Sequence, residues 1–335
     1  MFLYINYPSW IHPEIFPGVK FLGLLRWYGL MYAVAFGIAY FILRKVAREG
    51  ALDSDNYKIT EDDLFGFLST GILWLLIGAR VGSTLIYDTS GLYWRRPWLI
   101  FWPFQNGHFT GFVGMSYHGG FIGGLLGMFF WCKRHKQSPA KWIDAMVCAI
   151  PLGYIFGRLG NFLNGELYGR ITTMPWGIVF PGAEKFSSSL PWVQAFAEKI
   201  GMDISSIRMV NLPRHPSQLY ESFFEGLVLW LVIWFCRKHK KFDGMLACIY
   251  TGGYGFVRFF IEYFREPDAD LGFRIGDKTA NVYENVSLLN FSTGQILCFL
   301  MMVGSLITAI LLYHKSKKTA AGTTENTPKA DKKTK

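Results

Sequence analysis

Charged residues are scarce in this chain: Asp, Glu, Lys and Arg make up 17% of its 335 residues, against about 25% in a soluble globular domain. A water-facing surface on every side is therefore poorly supplied. Disorder is excluded from the opposite direction, because 18% of the residues are aromatic and 51% are hydrophobic, and disordered chains are poor in both. Cysteine is sparse, five residues without a C-x-x-C pair, so neither a disulfide scaffold nor a thiolate zinc site is encoded. The H-E-x-x-H pattern of zinc proteases is missing. Gly114-Met115-Ser116-Tyr117-His118 lacks the closing glycine of a G-x-S-x-G nucleophile elbow. Cys132, Cys148, Cys236, Cys248 and Cys298 sit in apolar or cytoplasmic-edge contexts, where thiols tend to be inert. The chain offers no convincing nucleophile of its own, so a nucleophile would have to arrive with a substrate. No metal or soluble cofactor is expected. No basic region precedes the first apolar run, and residues 1–20 read as an aromatic, Pro-bearing lead-in rather than a cleaved signal peptide.

Long apolar runs fill the space left by these absences. A helix that crosses a bilayer needs roughly 20 mostly apolar residues, and seven stretches qualify, at about 21–43, 64–87, 109–132, 142–163, 217–236, 244–265 and 290–313. Thirty-six glycines and 12 tryptophans fit the same reading, glycine packing helices closely and tryptophan favouring the interface. The expected class is an all-α, polytopic integral membrane protein with seven transmembrane helices in residues 1–314. The segment 164–216 forms a small extracytoplasmic cap, and 315–335 forms a disordered basic tail.

The net charge of +10 invites a nucleic-acid reading, but its distribution answers otherwise. Of 34 Lys and Arg, 19 fall in the loops 44–63, 133–141 and 237–243 and the tail, 10 fall on the opposite side, and five fall inside spans. The positive-inside rule then places the C-terminus in the cytoplasm and the N-terminus outside, in a bacterial inner membrane. Trp10, Trp94, Trp98, Trp102, Trp176 and Trp192 all fall on the outer side, as an interfacial belt does. The partner is the lipid bilayer, with no nucleic acid.

All five intramembrane basic residues are arginine: Arg26, Arg80, Arg158, Arg258 and Arg265. A charge at a helix centre costs about 2.5–3.5 kcal/mol on insertion scales. Arg26, Arg80 and Arg265 lie near span ends and can snorkel to the interface, whereas Arg158 and Arg258 cannot. A guanidinium stays charged and grips a phosphate bidentately, so an anionic ligand is expected at one or both. Arg158, Asn161 and Asn164 are spaced i, i+3, i+6 and share a helical stripe, with Glu166 just past its outer end. Tyr254, Arg258, Glu262 and Arg265 share a second face. An Arg258–Glu262 ion pair reduces the cost of burial, and the same pair can orient Arg258 toward an anion. His118, near the outer end of the third span, is the general-base candidate, because histidine is the side-chain type suited to proton transfer near neutral pH. Tyr28 follows Arg26-Trp27 at the outer end of span one. The polar residues of 215–221 open span five either as helix caps or as part of the site. A transporter of anionic lipids would use the same arginines, but neither motif repeats in the other half of the chain, as inverted-repeat transporters require.

The run Gly157-Arg158-Leu159-Gly160-Asn161-Phe162-Leu163-Asn164-Gly165-Glu166-Leu167-Tyr168-Gly169 resembles the signature of the bacterial prolipoprotein diacylglyceryl transferases, G-R-x-G-N-F-x-N-x-E-x-x-G. Four further blocks resemble that family in the same order: residues 26–32, 117–120, 215–221, and 253–268 with Arg258, Glu262, Arg265, Pro267 and Asp268. Together they cover roughly residues 12–313. The resemblance implies transfer of the sn-1,2-diacylglyceryl group of phosphatidylglycerol to the lipobox cysteine of a preprolipoprotein, with release of glycerol 1-phosphate. It also implies roles for Tyr28, His118, Arg158, Asn161, Glu166, Gly169, Tyr254, Arg258 and Glu262. On that basis His118, Arg158, Arg258 and Glu166 are the expected catalytic residues. Arg158, Asn161, Asn164, Gly169, Tyr28, Tyr254, Glu262 and Arg265 are expected to bind substrate. The stretch 272–289 and the Lys-rich tail depart from the family pattern without touching its motifs.

Overall fold

A computed structural model describes residues 4–18, 25–54, 57–105, 107–109, 114–266, 272–283 and 287–325. Pro267, Asp268, the start of the first predicted span at 21–24, residues 110–113 of the third, and the end of the tail from 326 lie outside that set. The described chain is mostly helical. Its long helices are α1 (Trp27–Arg48), α2 (Glu61–Tyr87), α3 (Tyr117–Arg134), α4 (Pro139–Val147), α5 (Ile150–Leu163), α6 (Pro191–Lys199), α7 (Ser217–His239), α8 (Met245–Ile261) and α9 (Thr293–Glu325).

Each predicted span contains helix over most of its described part. Four helices (α1, α2, α7 and α9) are long and apolar enough to cross a bilayer, and a fifth is counted if α4 and α5 form one interrupted span. The predicted span 142–163 is broken at Cys148-Ala149, because Pro151 sits in the first turn of α5 and a proline there has no N–H to continue an upstream helix. At 17 residues, α8 is short for a full crossing. Strand is confined to pairs of two or three residues, such as Ile5–Asn6 with Ile178–Val179 and Phe186–Ser187 with Met209–Val210. The stretch read as a tail from 315 continues α9 as helix to Glu325.

The chain divides into two compact units, residues 1–39 with 147–335 and residues 40–146. In the second, α2 and α3 pack along a glycine seam. An added Cβ at Gly119 would strike the carbonyl of Gly78, and one at Gly123 would strike that of Trp74. Gly78 and Gly82 on α2, and Gly119, Gly123 and Gly127 on α3, recur every four residues, the small-xxx-small pattern that lets membrane helices touch backbone to backbone. Thr60 caps α2 reciprocally with Asp63, and Ser116 caps α3 by accepting from the Gly119 N–H at 3.1 Å. Arg80 does not snorkel: it is buried, donating from Nε to the carbonyl of Ile100 at 2.5 Å and from Nη1 to that of Gly114 at 3.3 Å. Two loop carbonyls replace water for this cation.

In the first unit α8 packs on α9, where a Cβ at Gly255 would lie 2.9 Å from the carbonyl of Cys298. Gly226 seats α7 on Pro151 and Ile155 of α5. Residues 164–216 carry their own apolar cluster, built on Val193, Phe196, Ile200, Val210 and Leu212 around α6.

Candidate active site

Three helices of the first unit supply the charged residues. On α5, Tyr154, Arg158 and Asn161 follow one another at spacings of four and three, and Asn164 stands at the C-cap. On α7, Glu221 precedes a π-helical stretch, Ser222–Val228, which contains Glu225. Such widened turns recur where a helix is adapted to a functional site. On α8, Arg258 lies in the last turn and Glu262 at the C-cap.

These residues meet at Glu221, whose side chain is 0% exposed. Its Oε2 accepts from Arg158 Nε and from Arg258 Nη1, each at 2.9 Å, and the Tyr154 hydroxyl oxygen stands 3.2 Å from it. Its Oε1 is buried with no hydrogen-bond partner among the described residues. Glu225 Oε1 stands 3.5 Å from Arg258 Nη1, and its Oε2 accepts a short hydrogen bond from Tyr154. Glu262 lies 3.7 Å from both Arg258 Nη2 and Arg265 Nη1. The Arg158 guanidinium stacks 4.7 Å over the Tyr154 ring. Three arginines thus face three carboxylates, a pairing that offsets the cost of burying charge.

From Arg158 the polar chain continues past the C-terminal end of α5. Arg158 Nη1 reaches Asn161 Oδ1 at 3.5 Å, and the amides of Asn161 and Asn164 both donate to Glu166 Oε1, at 3.0 and 3.3 Å. Gln218 Nε2 donates to the Glu166 carbonyl at 2.6 Å, and Ser217 Oγ to that of Leu167 at 3.2 Å. Ser217 and Gln218 therefore tie α7 to the signature loop and do not cap their own helix, where no side-chain cap is made. Glycine is required at 169 by contact: an added Cβ would strike the Phe264 carbonyl and lie 2.9 Å from His215 Cβ. The strand-like pairing of Gly169 with Arg265 and the bonds Gly169 N to His215 O (2.8 Å) and Arg170 N to Phe264 O (2.9 Å) fix the chain beyond α8 against this loop. Burial, with Arg170 nearby, pushes the His215 imidazole down to about 4, so it stays neutral near physiological pH.

The sequence-predicted residues divide accordingly. Arg158, Asn161, Asn164, Glu166, Arg258, Glu262 and Arg265 form one connected set, and Gly169 supports it through the backbone. Tyr254 packs edge-on to Tyr154 at 6.0 Å. Tyr28 lies against Gly160, and its hydroxyl pairs with that of Tyr32 at 3.2 Å. His118 belongs to the second unit, exposed in the first turn of α3, with Nδ1 3.0 Å from the Tyr87 hydroxyl. Sequence reasoning left Gln218 and Glu221 open, as helix caps or as part of the site, and passed over Glu225 and Tyr154. The signal was available: two carboxylates four apart inside a predicted span, and a tyrosine four residues before each buried arginine.

The profile of the prolipoprotein diacylglyceryl transferase family matches residues 19–311. A phosphatidylglycerol–prolipoprotein diacylglyceryl transferase of Treponema denticola is 53% identical over 332 residues, covering 95% of this chain and 97% of that protein. The Treponema pallidum protein of the same name is 50% identical, over 93% of this chain and 97% of its own length. At greater distance, the Campylobacter jejuni protein of that name is 37% identical over 86% of this chain and 88% of its own.

Proposed function

The chain belongs to the prolipoprotein diacylglyceryl transferase family, and from that premise we propose how its buried arginine cluster serves the reaction. The enzyme moves the diacylglyceryl group of phosphatidylglycerol to the lipobox cysteine thiol of a preprolipoprotein, the first step of lipoprotein maturation. It does so as a seven-span protein of the bacterial inner membrane, N-terminus outside and C-terminus cytoplasmic, with 164–216 as an outer cap. The observation that carries the reading is the convergence of Arg158 and Arg258, from two helices, on one buried carboxylate oxygen.

In this reading the two guanidiniums hold the phosphodiester and stabilise the charge that develops as glycerol 1-phosphate departs. The lipobox thiolate attacks the glycerol carbon that bears the phosphate ester. A C–S bond forms, the C–O bond breaks, and the electron pair leaves with the phosphate oxygen. Asn161, Asn164 and Tyr28 orient the head group, with Tyr254, Glu262, Arg265 and Gly169 shaping the surrounding wall. The thiol must lose its proton, since an ordinary cysteine is largely protonated at neutral pH. His118 or Glu166 takes it. For His118 the role requires the tautomer in which Nδ1–H donates to the Tyr87 oxygen and Nε2 is free to accept.

The test uses the purified chain in detergent with phosphatidylglycerol and a synthetic lipobox peptide. Mass spectrometry should find peptide carrying the diacylglyceryl mass together with free glycerol phosphate, and neither product from Arg158→Ala. Lipid bound by a folded protein without transfer would sink the reading. Comparing His118→Gln with Glu166→Gln identifies the base: the variant of the base loses turnover while retaining lipid binding.

A further inference from the structure

We propose that Glu221 is the positioning residue of this site: a buried carboxylate that sets the spacing and orientation of Arg158 and Arg258 through one oxygen. The inference rests on the phosphate-holding role given above to those two arginines, and it assigns to a residue of α7 what the signature motifs on α5 and α8 cannot do for themselves.

The argument begins with an asymmetry. A carboxylate that merely neutralises buried cations spreads its donors over both oxygens, since each has two lone-pair directions. At Glu221 both guanidiniums donate to Oε2, with the Tyr154 hydroxyl 3.2 Å from the same oxygen, and Oε1 has no partner among the described residues. The crowded oxygen is the point at which two helices are referenced to each other. Arg158 Nε and Arg258 Nη1 each stand 2.9 Å from it, so the two donors lie within twice that distance of one another, a span that a single phosphate group can bridge. Glu225 and Glu262 pair with Arg258 but make no hydrogen bond or ion pair with Arg158 among the described residues, although Arg158 lies close enough to Glu225 to act on it electrostatically, so of these three carboxylates Glu221 is the one directly paired with both arginines. It is itself held firmly. Tyr154 links it to Glu225, and Gly226 brings α7 close enough to α5 for the contact to form. The contact through Nε of Arg158 leaves Nη2 without a partner among the described residues, and hence available to a ligand oxygen.

A residue that acts through others has a recognisable kinetic signature. Misplacing catalytic groups by a fraction of an ångström weakens the transition state more than the ground state. Loss of Glu221 should therefore fall on kcat while KM for phosphatidylglycerol stays nearly fixed. The experiment measures both constants and the thermal melting of the full-length protein in mixed micelles for wild type, Glu221→Gln, Glu221→Asp, Arg158→Lys and the double variant Arg158→Lys/Glu221→Gln. Expected are a 10- to 100-fold fall in kcat for Glu221→Gln with KM within about threefold, partial recovery in Glu221→Asp, and a double variant little worse than Arg158→Lys alone. Such non-additivity is the mark of groups working as one unit. Penalties that multiply in the double variant, or a Glu221→Gln protein within twofold of wild type, overturn the proposal. Should Glu221→Gln fail to fold, the decision passes to Glu221→Asp: a folded Asp variant with full kcat overturns it, and one with reduced kcat and unchanged KM supports it. A wild-type protein that makes no thioether product would instead remove the proposed function, a result distinct from either.

Discussion

At the scale of single residues, glycines of the signature motif turn out to serve different ends. Gly169 is required by contact, whereas an added Cβ at Gly157 would meet nothing within 4 Å among the described residues. Gly157→Ala should therefore leave melting unchanged or raise it slightly, because alanine favours helix by about 1 kcal/mol over glycine. A fall in transfer activity without loss of stability would mean that ligand occupies the open space beside Arg158. His215 provides a second prediction. Its imidazole ordinarily titrates near 6.5 and here near 4. Between those values the unfolded chain binds a proton that the folded chain refuses. Stability is therefore complete above about pH 6.5 and falls as pH drops toward 4, by at most on the order of 3 kcal/mol. Chemical denaturation across that range should show the loss in wild type and a flatter profile in His215→Asn.

Among the elements, the α2–α3 seam is the interface most dependent on the absence of side chains. Gly123→Leu should lower the melting temperature in detergent, overpacking costing roughly 1–3 kcal/mol or more where backbone stands in the way. Gly37→Ala on α1, where a Cβ meets nothing within 4 Å, should not. What the sequence made legible follows from this scale. Hydrophobic length placed helix in each of the seven predicted spans but not α6, and the spacings of four and three put Arg158 with Asn161, and Arg258 with Glu262, on shared faces. The break at Cys148-Ala149 was hidden because hydropathy windows average over Pro151. Arg80 was misplaced because its acceptors, the carbonyls of Ile100 and Gly114, are 20 and 34 residues away. Glu221 was missed as the hub for the same reason: a motif shows neighbours along the chain, and the arginines it serves lie 63 residues before and 37 after it.

For the whole molecule, the uneven placement of basic residues is the broadest constraint, and it makes a test of orientation simple. In a background without the five native cysteines, a membrane-impermeant maleimide applied to intact cells stripped of their outer membrane should label Ser189→Cys in the cap and leave Lys318→Cys on α9 unlabelled. The reverse pattern would invert the topology proposed here. Family membership rests on similarity along nearly the whole chain, 95% of it against the Treponema denticola protein, so the segment 164–216 and the helices share one evolutionary unit rather than being a transferase core with an addition.

The ion-pair hub at Glu221 also bears on how such a protein is made. In the seven-span arrangement, α5 emerges from the ribosome carrying a lone cation, α7 follows with two carboxylates, and α8 then adds Arg258 with Glu262 beside it. Handed to the lipid one at a time, α5 and α7 would each bear the insertion cost of unpaired charge, about 2.5–3.5 kcal/mol per residue. Released together with α8 and the Arg265 that follows it, they offset it, three arginines against three carboxylates. The chain's own order of synthesis therefore favours lateral exit of these helices as a group, with Arg158 and Arg258 already paired to carboxylates on arrival in the bilayer.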